Sequence, residues 1–291
     1  LLARYTRSDH RLITGPGVGE DVAVIDMGDR YMVVKTDPIT FATDQIGWDA
    51  VNVNANDIAT SGARPLWMLN TILLPEQGAT PELVDSIFAQ LCRACDQLGI
   101  VLVGGHTEVT WGLDRPIVVG VMIGEVPRGQ LITTAGAQVG DKVLLVKGMP
   151  IEATAIIARE KADDLLQRGY TPDVVSRAQN YLYDPGISVL DVARTAAKHP
   201  GVHSMHDPTE GGVATGLHEL AMASGTGMLV YADRLPILPE GARLCAEYGL
   251  NPLGAIASGA LIVALAADQA DELAAAYAAQ GVACTHVADL L

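Results

Sequence analysis

Short apolar runs alternate along the chain with longer stretches of helical period, the pattern of a protein whose sheets are covered by helices. Val22 to Ile25 and Tyr31 to Thr36 read as paired strands around a Met27-Gly28-Asp29 turn, with Leu66 to Leu74 and Pro116 to Val126 as further strands. The clearest helix spans Pro81 to Leu98. Leu83, Val84, Ile87, Phe88, Leu91, Cys95 and Leu98 share one face, Thr80 suits the N-cap, Pro81 the first turn and Gly99 the stop. A strand from Ile100 to Val103 follows directly. Around Gln130 to Asp141 the sequence turns small, polar and glycine-containing, and a fresh alternation starts at Lys142. That shift sets the expected boundary between two domains, 1–135 and 136–291. Beyond it the periods predict helices at about 151–160, 172–181, 187–198, 211–223, 239–248 and 268–280, and strands at about 202–206, 227–231, 260–266 and 282–287. The fold class is therefore α/β (α+β), with no short repeat and no low-complexity segment.

Composition narrows the partners. A chain of 291 residues, 49% apolar and 18% charged, fills two ordinary cores and is not intrinsically disordered. Nineteen basic against 34 acidic residues leave a net charge of −15, which repels phosphate backbones and anionic lipid, so neither nucleic acid nor membrane is an expected partner. No apolar run approaches the roughly 18 residues of a membrane helix. Four cysteines, Cys92, Cys95, Cys245 and Cys284, are too few for a disulfide scaffold and fit a reducing cytoplasm. The first residue is Leu, so the chain is expected to lack its natural N-terminus, and no secretory leader is visible.

The same acidity demands a cation beside any anionic ligand. The common nucleotide, zinc-protease and hydrolase signatures are absent. Cys92-Arg-Ala-Cys95 lies inside the best amphipathic helix, where packing is the plainer reading. What remains is a set of polar residues in positions that local rules disfavour. Gly15-Pro-Gly17-Val-Gly19-Glu-Asp21 offers backbone amides to a phosphate and a carboxylate to a cation, or is a mobile turn. Lys35-Thr36-Asp37-Pro38 stands late in a strand, where open sheets place ligand groups, although Thr-Asp before Pro is also turn chemistry. Asn52, Asn54, Asn56 and Asp57 interrupt a helical stretch from about Trp48 to Ser61; such residues are poor interior choices, so a compensating role competes with a solvated face. Gly104-Gly105-His106-Thr-Glu108 follows an apolar strand and combines close backbone approach with polar groups, or is a hairpin turn. His206-Asp207-Pro-Thr209-Glu-Gly211-Gly212 joins a strand to a helix, where Thr209 suits an N-cap and the helix start an anion. Together, three acids near glycine turns and a helix N-terminus beside Asp207 are equipment for a magnesium-bound polyphosphate, which points to phosphoryl transfer.

In this order, Gly19-Glu-Asp21-Val-Ala-Val, Lys35-Thr-Asp37, Asn56-Asp57-Ile-Ala-Thr-Ser-Gly-Ala-Arg-Pro65, Gly104-Gly-His-Thr-Glu108, Asp207-Pro-Thr-Glu-Gly-Gly212 and Asn251-Pro-Leu-Gly resemble the aminoimidazole ribonucleotide synthetase (PurM-like) superfamily, from about residue 15 to residue 288. Leu217-His-Glu-Leu-Ala-Met-Ala-Ser-Gly-Thr-Gly leans toward its hydrogenase-maturation branch. The resemblance implies an N-terminal mixed sheet that pairs with a second subunit's to form a barrel, a C-terminal α/β domain and ATP between them. It implies that Asp21, Asp37 and Asp57 hold Mg²⁺ and that Asp57, Asp207 and His106 serve catalysis. Gly17, Gly19, Lys35, Thr36, Asn56, Gly104, Gly105, Glu108, Thr209, Gly211 and Gly212 would bind the nucleotide. The reaction would be ATP-dependent phosphoryl transfer to a small or protein-borne acceptor, with thiamine-monophosphate kinase chemistry or a non-catalytic nucleotide scaffold as alternatives. The sequence departs from the family pattern at His106, Glu210 and Ser258, where an acid, a base and an acid are usual, and its last residues, Val287-Ala-Asp-Leu-Leu291, lack the cysteine of the maturation branch.

Overall fold

The structure, a computed structural model, describes Tyr5 and residues 9–40 and 44–291. The chain forms two compact units, one of Leu1–Pro16 and Asp21–Leu131, the other of Gly17–Glu20 and Ile132–Leu291.

In the first unit, β1 (Leu12–Thr14), β2 (Ala23–Asp26), β3 (Arg30–Ile39), β4 (Arg64–Pro75), β5 (Val101–Thr110) and β6 (Ile117–Pro127) make one sheet in the order β1-β2-β3-β6-β4-β5. It is mixed: β4 and β5 run parallel, and the other pairs antiparallel. Between the parallel strands comes α2 (Pro81–Leu98), which starts on Thr80 accepting the Leu83 amide at 3.2 Å and ends on left-handed Gly99. β4 and β6 bury alternate residues along their length, so one face of the sheet is the core face. On it lies α1 (Ile46–Thr60), all fifteen residues of which are buried. A helix buried all round needs a close seat. Gly120 and Gly124 of β6 provide it: a Cβ at either would overlap the side chains of Asn54 and Ile58, respectively.

The second unit carries a wholly antiparallel sheet, ordered β8-β10-β7-β11-β9. Its strands are β7 (Lys142–Val146), β8 (Val202–His206), β9 (Met228–Val230), β10 (Leu261–Leu265) and β11 (Cys284–Leu290). Every residue of central β10 is buried, which explains its unbroken apolar run. The helices are α3 (Glu152–Glu160), α4 (Ala162–Gln167), α5 (Pro172–Asn180), α6 (Leu190–Ala197), α7 (Gly212–Ser224), α8 (Pro239–Glu247) and α9 (Ala270–Ala279). In α9, fully buried Tyr277 donates its hydroxyl to the Val192 carbonyl of α6 at 2.8 Å. Tyr277→Phe keeps the ring and loses that bond, so it should cost about 1 kcal/mol in urea unfolding.

Three local readings are revised. The strand expected at Ile100 to Val103 continues to Thr110, so Gly104 and Gly105 lie inside β5 rather than in a turn at its end. Pairing with the whole of β4 carries the strand through its glycines. Thr209 is not the N-cap of α7; left-handed Gly211 is, and the Thr209 carbonyl instead accepts from Gly212 and Ala257. Residues 162–167, left without an element by the sequence pattern, form α4.

Candidate functional site

In the first unit the charged residues of two motifs converge. Lys35 and Asp37 alternate with exposed Thr36 along β3, so the pair faces the core and Thr36 faces away. From α1 comes Asp57, its side chain 4% exposed. Lys35 Nζ lies 3.2 Å from Asp37 Oδ2 and 3.4 Å from Asp57 Oδ2, one cation between two carboxylates. Asn54 fixes the strand under this group: it accepts the Asp37 amide at 2.9 Å and donates to the Ala50 carbonyl at 2.9 Å, one turn back in its own helix. Asn52 bonds back to Trp48 in the same way. The buried asparagines thus satisfy themselves on backbone carbonyls, which rules out a solvated face for this helix. Asn56, fully buried, stands next to Asp57 in α1. Asp21 belongs to the same unit, on the segment that leads into β2.

The Gly104 motif is placed differently. Across the sheet the register joins Asp37, Gly120, Asn70 and Gly105 in one row. His106 and Glu108 alternate to the opposite face from Gly105, and they meet each other, Nε2 to Oε2, at 3.2 Å with side chains 66% and 49% exposed. Such an exposed pair contributes little to stability.

The second unit gathers its own polar group. The loop Gly17–Glu20 is docked: Gly19 has φ +73°, and a Cβ there would come within 2.9 Å of the Glu219 carbonyl of α7, while Glu20 accepts the Ala135 amide at 3.2 Å. His206, the last residue of β8, and Asp207 just beyond it are both 2% exposed, and His206 Nε2 lies 3.1 Å from Glu219 Oε2. The turn that follows passes Thr209 and left-handed Gly211 and Gly212 into α7. Sequence reasoning missed Glu219 and Glu152; both sit at ordinary helical positions, and only packing brings them to polar partners.

Glu152 opens α3 at 5% exposure. Burial pushes its carboxyl up to about 7, and the charge of Glu210 raises it further. The folded protein therefore holds this proton up to about pH 7, whereas the unfolded chain releases it near 4.5. Stability from this group is complete below pH 4.5 and falls as pH rises to 7. Glu152→Gln should match the parent in urea unfolding at the low end and exceed it at pH 8 by roughly 2–3 kcal/mol.

The sequence matches the AIR synthase related protein N-terminal domain over residues 19–126 and the corresponding C-terminal domain over residues 138–290. Carbamoyl dehydratase HypE of Cupriavidus necator is 33% identical over 267 residues, which cover 89% of this chain and 72% of that protein. The fold is also that of two solved structures. Hydrogenase maturation protein HypE in complex with ATP superposes with a TM-score of 0.74 at 22% identity, over 99% of this chain and 81% of that one. AaThiL complexed with AMPPCP and TMP gives 0.75 at 20% identity, over 94% and 85%. With both domain matches spanning nearly its whole length, the chain belongs to the AIR synthase related family of PurM-like proteins.

Proposed function

We propose that this protein is an ATP-using, magnesium-requiring enzyme that transfers a phosphoryl group to an oxygen of a small or protein-borne acceptor. The observation that carries the reading is the group Lys35, Asp37 and Asp57. Hard carboxylate oxygens in a partly buried setting fit Mg²⁺, and a lysine between them fits a phosphate oxygen. Asp37 and Asp57 would hold the ion, which would neutralise phosphate charge in this acidic protein. Lys35 now balances the two carboxylates; with the metal beside them, its ammonium would turn to the phosphate. Relatives support the reading, since one HypE structure contains ATP and the AaThiL structure contains an ATP analogue.

The deciding measurement is thermal unfolding with and without Mg·ATP, followed by ADP release across a panel of acceptors. A rise of several degrees that disappears in EDTA is expected; an unchanged curve at millimolar Mg·ATP would sink the proposal. Thiamine-monophosphate kinase activity is the second reading, supported by the TMP in the AaThiL structure, and thiamine monophosphate belongs in the panel for that reason.

A homodimer is part of the same proposal. β5 is an edge strand whose Val101, Val103 and Val109, with Trp111 just beyond, are 57%, 51%, 57% and 87% exposed. Bare apolar edges attract another chain. Val103→Lys should shift the protein from dimer to monomer in sedimentation velocity, while a parent that sediments as a monomer would refute the assembly.

A further inference from the structure

We propose that Glu152, Ser258 and Glu210 of the second unit form a binding site for a compact primary ammonium, the head of a small amine. Three segments meet there. The Ala153 amide at the start of α3 donates to the Ile256 carbonyl at 3.1 Å, and one residue on, the Ala257 amide donates to the Thr209 carbonyl at 3.3 Å. The stretch that carries Ser258 is thereby fastened to the residue after Glu152 on one side and to the residue before Glu210 on the other. Glu152 is 5% and Ser258 1% exposed, and among the described residues neither Glu152 Oε2 nor Ser258 Oγ has a hydrogen-bond partner. Two buried oxygens left unmet are costly, and apolar side chains would serve packing better. Glu210 is exposed and adds a carboxylate in contact with solvent.

The charges select the ligand. The charge that acts on Glu152 from the surrounding elements is that of Glu210, another acid. Basic residues of the neighbouring elements are engaged elsewhere. Lys147, ahead of α3, donates to the Gly186 and Ser188 carbonyls at 2.8 and 2.7 Å; Arg177 of α5 pairs with Glu240 of α8 at 3.2 Å, and Arg243 of α8 lies over the Tyr170 ring. An anion would meet two carboxyl groups, and the Ala153 amide that a helix start could offer it is already taken. A primary ammonium carries three donors, one each for Glu152, Ser258 and Glu210. A buried ammonium needs a paired carboxylate, and Glu152 becomes one by releasing its proton to solvent as the ligand enters. Glu210 and Ser258 both depart from the family pattern, so the combination is this chain's own. All three residues belong to the second unit, and the site does not depend on the metal and phosphate reading of Lys35, Asp37 and Asp57.

Propylamine, which stays protonated at both values, is to be titrated by calorimetry at pH 6 and pH 8 in EDTA without nucleotide. Saturable binding at millimolar concentration is expected. It should be roughly tenfold tighter at pH 8, because at pH 6 the carboxyl still holds the proton that it keeps up to about 7. Glu152→Gln should weaken binding at pH 8 by roughly tenfold or more and remove its pH dependence, whereas Ser258→Ala should weaken it and keep that dependence. Glu210→Gln, at an exposed position, should weaken it too and tests the same group should a buried variant not fold. Tetramethylammonium, which has the charge and no N–H, should not compete. No saturable binding of propylamine to the parent, equal binding of tetramethylammonium, or binding unchanged in the variants would overturn the site. Because neither phosphate nor metal is present, this result stands apart from that of the Mg·ATP experiment.

Discussion

Replacing Asp57 with asparagine is expected to abolish the Mg·ATP-induced rise in melting temperature and to cut ATP turnover by about 100-fold or more. The side chain keeps its shape and loses its charge. Lys35 then retains Asp37 as partner at 3.2 Å, so the variant should fold, unlike one that strands the ammonium beside two missing carboxylates. What it loses is one of the two carboxylates that would be offered to the cation. Lys35→Met completes the test from the other side. It removes the ammonium between the two carboxylates and should lower stability in the absence of metal, while Mg²⁺ alone restores part of it. A D57N protein with an undiminished Mg·ATP shift would dismiss this group as the nucleotide site.

The largest stability effect is expected at Gly120, a residue that carries no chemistry. A Cβ there would overlap the Asn54 amide and come within 2.8 Å of Met68 Cε. Gly120→Val must therefore lift α1 from β6 or turn Asn54 away from the Asp37 amide that it holds at 2.9 Å. Overpacking costs about 1–3 kcal/mol and the broken buried hydrogen bond about another 1–3, so a loss of roughly 3–5 kcal/mol is expected in urea unfolding. Mg·ATP binding should weaken too, because the same shift moves Asp57 relative to Lys35. Gly254→Ala is the control, since a Cβ there has only an ordinary contact at 3.9 Å and the change should be near neutral. Equal midpoints for the two variants would refute the seat described for α1.

Much of the fold was legible along the chain because single elements are governed by local rules. Thr80, Pro81 and Gly99 bracket α2 where capping chemistry places its ends, and the strands either side of Met27-Gly28-Asp29 pair as their alternation predicts. In the sequence β5 ends too early, because its glycines look like a turn until β4 is present to pair with them. Thr209 has the chemistry of a cap, but Gly211, left-handed beside Gly212, takes the position.

For the site, the sequence by itself determined the inventory: acids beside glycines, Lys35 next but one to Asp37, and a helix with more asparagine than a helix favours. It also determined the demand for a cation, since that follows from net charge alone. Which of those residues share a face was decided only by the tertiary structure. A strand sends neighbours to opposite sides, so Lys35 and Asp37 go to the core with Asp57, while Thr36, His106 and Glu108 turn the other way. Sheet register and helix packing are relations between distant segments, and they turn a list of polar residues into a charged group on one face.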